Sequence, residues 1–242
     1  MELLAAVGLS LLGSGGGVVL AAPLLLVKQR RRQQIVPGLI SYAVGTLLGV
    51  AMLALVPEAL ESLSTTAALG ALLAGILTFF MLEKFVLWRH CHTDDCEAHD
   101  ASAPLVLIGG ALHNLPDGAV VGAALLTSVP LGLTTALAVA AHQIPQEVSD
   151  YAILLDAGYS RARAFALNAL SASTCAVGAT AVWGASSWTP LVLPYILAFA
   201  AGSFLYVAMS DLIPGLHRDA VDVGAVRQVV FIVAGIGTII FV

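Results

Sequence analysis

Ala111-Leu112-His113-Asn114-Leu115-Pro116-Asp117-Gly118 places an imidazole, an amide and a carboxylate inside an apolar run, 103–126, that is long enough to cross a bilayer. Ionisable groups within a spanning helix cost roughly 2.5 kcal/mol or more each, so they face a wet cavity or a partner and mark a functional site. His113 and Asp117 are four residues apart and share one face of a helix. Both are good ligands for a divalent transition metal. Pro116 has no N–H to give the carbonyl of Leu112, which frees that oxygen and lets the helix bend beside the candidate ligands. A second stretch answers the first: Ala141-His142-Gln143-Ile144-Pro145-Gln146-Glu147, again in an apolar run and again with proline beside imidazole, amide and carboxylate. Two adjacent helices that bring together His113, Asp117, His142, Gln146 and Glu147 would build a cation site at mid-membrane. A lone intramembrane His or Asn is also explained by a helix-to-helix hydrogen bond, worth about 0.6 kcal/mol on average. Packing alone does not call for carboxylates on both helices.

The elements that must carry these residues follow from composition. The chain has 242 residues, 59% of them hydrophobic and only 10% charged, with a mean hydropathy of +0.96. A soluble domain would expose far more charge, so the expectation is an all-α, polytopic membrane protein. The net charge of −5 resides almost wholly in short loops, and nothing points to nucleic acid. No segment outside the apolar runs is long enough for a separate domain, so residues 1–242 read as a single transmembrane domain. The opening run has no basic region before it and no cleavage motif, and reads as a retained span. Three cysteines do not make a disulfide framework.

With about 20 apolar residues needed per crossing, eight transmembrane helices are expected, over 3–27, 35–60, 67–87, 103–126, 131–155, 164–183, 191–210 and 225–242. On that count all ten basic residues, from Lys28 to Arg227, fall on one face. The excess of Lys and Arg marks that face as cytoplasmic, so both termini are extracytoplasmic. Gly13, Gly15, Gly16 and Gly17 permit close helix approach in the first span. Pro57 is expected to stop the second span and leave Glu58 in water. Between the third and fourth spans a His/Cys-rich cytoplasmic loop, 89–102, holds His90, Cys91, His92, Cys96 and His99. Its spacing matches no closed structural zinc motif and reads as an exchangeable metal-binding tract. Span six offers Asn168, Ser171, Ser173, Thr174 and Cys175, and span seven ends near Asp211 and Pro214.

The chain resembles the ZIP (Zrt-, Irt-like protein) family of divalent metal transporters. His113-Asn114-Leu115-Pro116-Asp117-Gly118 is similar to that family's fourth-span His-Asn-x-x-Asp-Gly motif, and His142 to Glu147 looks like its fifth-span His-Glu-x-Pro-His-Glu motif. The resemblance extends over nearly the whole chain. It implies an eight-helix transporter carrying zinc or a related ion (cadmium, iron, manganese) as substrate toward the cytoplasm, without a cofactor and often as a homodimer. It also implies a primary metal site at the positions of His113, Asp117, His142 and Gln146, and a secondary one at Asn114, Gln143 and the position of Cys175. The short loops point to the cell (inner) membrane. Gln143, Gln146 and Cys175 depart from the family pattern and leave the second position short of anionic ligands, so one well-occupied site is expected, with Glu147 available in place of Gln146.

Two other functions compete. An intramembrane zinc protease needs His-Glu-x-x-His on one helix, and His142-Gln143-Ile144-Pro145-Gln146 lacks both the Glu and the second His. A membrane protein that senses or binds metal without transporting it is the other, with the two Gln substitutions as its support.

Overall fold

In the computed structural model the described residues are 2–24, 26–88, 102–185, 191–217 and 224–241, and all regular structure among them is helical. The elements are α1 (Glu2–Leu24), α2 (Gln29–Val50), a π-helical segment (Ala51–Leu55) leading into α3 (Val56–Ser62), α4 (Thr65–Trp88), α5 (Ser102–Thr127) and α6 (Val129–Asp156). Then follow α7 (Arg161–Ala172), α8 (Thr174–Gly184), α9 (Leu193–Tyr206), a second π segment (Val207–Leu212), α10 (Ile213–His217) and α11 (Gly224–Phe241). Among the described residues, six helical stretches are long and apolar enough to cross a membrane. α5 and α6, which carry the polar clusters, span 26 and 28 residues, ample for a crossing. This is an integral, multi-pass membrane protein.

Local chemistry sets the ends. Ser128 caps α6 by accepting the Leu131 N–H at 3.3 Å, and Ser160 caps α7 by accepting that of Arg163 at 3.4 Å. α6 ends in a Schellman turn: Gly158 takes φ +84°, its N–H bonds the Leu155 carbonyl at 3.0 Å, and the Tyr159 N–H bonds that of Leu154 at 3.1 Å. Only glycine enters that left-handed conformation without cost, so the chain reverses there into α7.

Three departures from the expected spans have local causes. Pro57 does not stop its helix, which runs on to Ser62. The π segment before it widens the turn and shifts the bonding register, with the Val56 N–H reaching the Ala51 carbonyl, so the proline ring and its missing donor are accommodated. Pro214 follows the second π segment by the same two-residue offset. The sixth expected span is broken at Ser173, whose hydroxyl bonds the Leu170 carbonyl at 2.6 Å while Thr174 bonds that of Ser171 at 2.8 Å and that of Ala111 on α5 at 2.9 Å. The His/Cys-rich tract at 90–99, Arg89, Arg218 and the side chain of Asp211 lie outside the described residues.

The helices pack as two groups. α1, α5, α6 and α7–α8 form one, and α2–α3, α4, α9–α10 and α11 the other. They meet in a core of Leu47, Val50, Leu55, Ala201 and Phe204 against Val120, Val121, Ala124, Ala138 and Val139. Large apolar side chains such as Leu12, Leu73 and Val233 point outward, as bilayer contact requires. Reciprocal glycines lock the helix pairs: Gly118 lies against the Cys175 carbonyl and Gly178 against that of Leu115, and Gly75 against that of Phe199 and Gly202 against that of Leu72. Wherever a Cβ added to a described glycine would meet another side chain or backbone, that neighbour belongs to the same group.

Candidate metal site

α5 and α6 bring His113, Asp117 and His142 to one point on the side of the first group that faces the second. The His142 Nε2 lies 3.2 Å from Asp117 Oδ2 and 3.2 Å from the His113 Nε2, which is 3.5 Å from Asp117 Oδ2. Zinc with ligand bonds near ~2.05 Å in a tetrahedron sets its donor atoms about 3.3 Å apart, so the three atoms already form one face of such a polyhedron.

Protonation is partly set by the backbone. The Nδ1 of His142 lies 3.1 Å from the Ala138 carbonyl, which can only accept, so Nδ1 donates and the neutral ring presents a bare Nε2 lone pair. In that neutral form the lone pair and the Asp117 carboxylate are two acceptors 3.2 Å apart, which only a shared proton or a cation can bridge. A cation between them satisfies both. His142 and Asp117 are buried, whereas His113 is partly open. The second helix group supplies aromatic walls: Phe79 meets the His113 ring edge-on at 5.8 Å, and Phe204 lies 5.9 Å from the His142 ring.

The remaining expected residues separate. Gln146 is half-buried and, with His113, lines a cavity of about 480 Å³. Other walls of that cavity are Glu83, Val106, Asp150 and Gly215, which lie toward the helix ends that adjoin the joins α4–α5, α6–α7 and α10–α11. Asn114 and Gln143 are fully buried behind Asp117, where the Gln143 Nε2 donates to Asn114 Oδ1 and, at 3.1 Å, to Asp117 Oδ2. Glu147 is buried one turn beyond Gln143, outside the His113, Asp117, His142 group; one of its carboxylate oxygens has no hydrogen-bond partner. Asn168 donates to the Glu147 backbone carbonyl at 3.4 Å. Cys175 is buried with the Ser14 hydroxyl as a partner. Ser14 was not expected here: its only sequence signal is its place in the glycine run that lets α1 approach α6, where it meets Gln143 Nε2 at 3.5 Å. The orienting role of the Ala138 carbonyl likewise has no signature in residue type.

An all-helical, multi-pass membrane protein with a His-His-Asp cluster buried between two long helices is the class that fold and site define. Residues 87–242, more than half of the chain, match the family described as ZIP Zinc transporter. The chain is 34% identical over 217 residues to zinc transporter ZIP13 of Pongo abelii, covering 82% of this chain and 64% of that one. It is 30% identical over 215 residues to zinc transporter YKE4 of Saccharomyces cerevisiae (76% and 62% covered), and 37% identical over 137 residues to zinc transporter ZIP6 of Homo sapiens (56% and 18%). The chain therefore belongs to the ZIP family, a family of transporters and not of enzymes. It spans less than two thirds of the length of these relatives.

Proposed function

We propose that the chain carries a divalent metal cation, zinc first among its substrates, across the bilayer toward the cytoplasm. The ion is held by the His113 and His142 Nε2 atoms and by Asp117. The observation that carries this reading is the triangle of donor atoms at 3.2, 3.2 and 3.5 Å, the spacing a tetrahedral dication needs. The fourth position faces the cavity, where Gln146 or water completes the shell. Cadmium, iron and manganese remain substrates to be ranked by measurement, since such a donor set follows intrinsic affinity order unless geometry intervenes.

In this reading one transmembrane domain crosses the membrane eight times, with both termini extracytoplasmic. The successive helical stretches 2–24, 29–62, 65–88, 102–127, 129–156, 161–184, 193–217 and 224–241 support that count. The cavity beside His113 runs toward the helix ends next to which Lys84, Arg161 and Arg227 lie, so by the charge rule the ion leaves on the cytoplasmic side. Alternating access needs two bodies that move past one another around a fixed site. The two helix groups suit that motion: close glycine approaches stiffen each group internally, and the contact between groups is made by ordinary apolar side chains.

Uptake of zinc into proteoliposomes tests the proposal. Saturable flux is expected from the wild-type chain and none from Asp117→Ala or His142→Ala. Intact binding without saturable flux would instead establish a metal sensor.

A further inference from the structure

Gln143 is fully buried on α6, and its amide nitrogen sits among three oxygens supplied by two other helices. Asn114 Oδ1 and Asp117 Oδ2, the latter at 3.1 Å, come from α5, and Ser14 Oγ comes from α1 at 3.5 Å. The surroundings fix this placement. Asn114 Nδ2 donates to the Gly110 carbonyl at 2.8 Å, which turns Asn114 Oδ1 toward Gln143. Gly17 of α1 lies so close that a Cβ there would stand 2.7 Å from the Gln143 Cβ, so the side chain cannot swing out past α1. The polarity is fixed as well. A flipped amide would set Gln143 Oε1 against two acceptors, Asn114 Oδ1 and Asp117 Oδ2. In the observed orientation Oε1 is instead left buried without a partner, a cost of about 1–3 kcal/mol that the nitrogen's contacts must outweigh.

A point ringed by carboxylate, amide and hydroxyl oxygens is one that a hard cation would fill. Here a neutral NH₂ fills it. We propose that the Gln143 amide is a built-in stand-in for a second cation, so that the site of His113, Asp117 and His142 loads a single divalent ion. This rests on the metal-carrying reading above and names its stoichiometry. The Asp117 carboxylate is the one anion in contact with both positions, and a second dication would have to share it in a low-dielectric interior. Uncompensated charge is expensive there. Gln143→Glu replaces the donor by an acceptor-only group of nearly the same shape. It leaves Asn114 Oδ1, Asp117 Oδ2, Ser14 Oγ and the new carboxylate around a centre whose one remaining proton donor, the Ser14 hydroxyl, can turn away, which is a cage for a second ion.

The test is the zinc content of the full chain in detergent, equilibrated against buffered free zinc and counted beyond that of the Asp117→Ala chain, so that zinc held by the 90–99 tract is subtracted. One zinc per wild-type chain and two per Gln143→Glu chain are expected, with a return to one when Asn114→Ala is added. Wild-type uptake should saturate with a Hill coefficient of one, a reading that needs no variant. Two zinc ions per wild-type chain, a Hill coefficient near two, or one zinc per folded Gln143→Glu chain would each overturn the inference. Absence of zinc from the wild-type chain would refute the metal-carrying reading itself, a distinct result.

Discussion

Asp117→Asn exchanges one oxygen of the carboxylate for an NH₂ group, removing the charge from the donor triangle and changing almost nothing of its shape. Asp117 Oδ2 stands 3.2 Å from the His142 Nε2 and 3.5 Å from the His113 Nε2, and accepts from Gln143 at 3.1 Å. The variant keeps an oxygen able to accept from Gln143 and loses the charge. Residues that merely support a metal ligand change affinity by about 10–100-fold, so loss of the anionic ligand itself should weaken zinc binding by about 100-fold or more, roughly 2.8 kcal/mol. Thermal unfolding in detergent then reads two quantities of opposite sign. At zinc 100 times the wild-type Kd, wild type gains about 2.7 kcal/mol, and a variant binding 100-fold more weakly gains only about 0.4 kcal/mol. Without zinc, the variant should melt no lower than wild type, because a buried carboxylate has been replaced by a neutral group of equal size. Equal zinc stabilisation of the two proteins would show that Asp117 is not a ligand. A metal-free variant that melts well below wild type would show that the carboxylate serves packing.

Three further outcomes are expected. An imidazole binds metal only when neutral, so zinc affinity should fall as pH is lowered through the range in which histidine takes up a proton, by up to about tenfold per pH unit for each of His113 and His142; isothermal titration at several pH values measures this, and a flat profile would remove both from the site. A Cβ on Gly118 would stand 1.8 Å from the Cys175 carbonyl, so Gly118→Ala must push α8 from α5 and should cost about 1–3 kcal/mol, seen as a lower melting temperature; an unchanged melting temperature would mean that the helix pair is not tightly locked. Deleting 90–99 should leave saturable flux in place while altering its regulation or apparent affinity, and loss of all flux from a folded, inserted protein would put that tract in the pathway.

The outline of the fold could be read directly from hydropathy, because each expected span from 3–27 to 225–242 meets a helical stretch with ends within a few residues, except at the start of the second, where α2 begins at Gln29, and at the end of the seventh, where helical structure runs on to His217. The breaks could not. A π turn at Ala51–Leu55 or Val207–Leu212 changes which carbonyl is bonded and leaves the apolar pattern untouched, and a serine that halts a helix at Ser173 is the same residue type as one that packs quietly at Ser41.

The site divides along the same line. His113, Asp117 and His142 stood out because an ionisable group in a bilayer is expensive wherever it points, so its presence alone carries information. What each polar group does depends on direction, and direction is a tertiary property. His142 and Gln143 are neighbours in sequence, yet one turns a ring nitrogen that can bind a metal toward Asp117 while the other presents N–H to the same oxygen. Spacing could collect Gln143, Gln146 and Glu147 as candidate ligands. Only the helix crossing separates a donor behind the carboxylate, an amide at the cavity wall and a carboxylate one turn away. A metal site inside a membrane is therefore legible first as an unpaid electrostatic cost, and becomes a coordination geometry only once the backbone has fixed which atoms are acceptors.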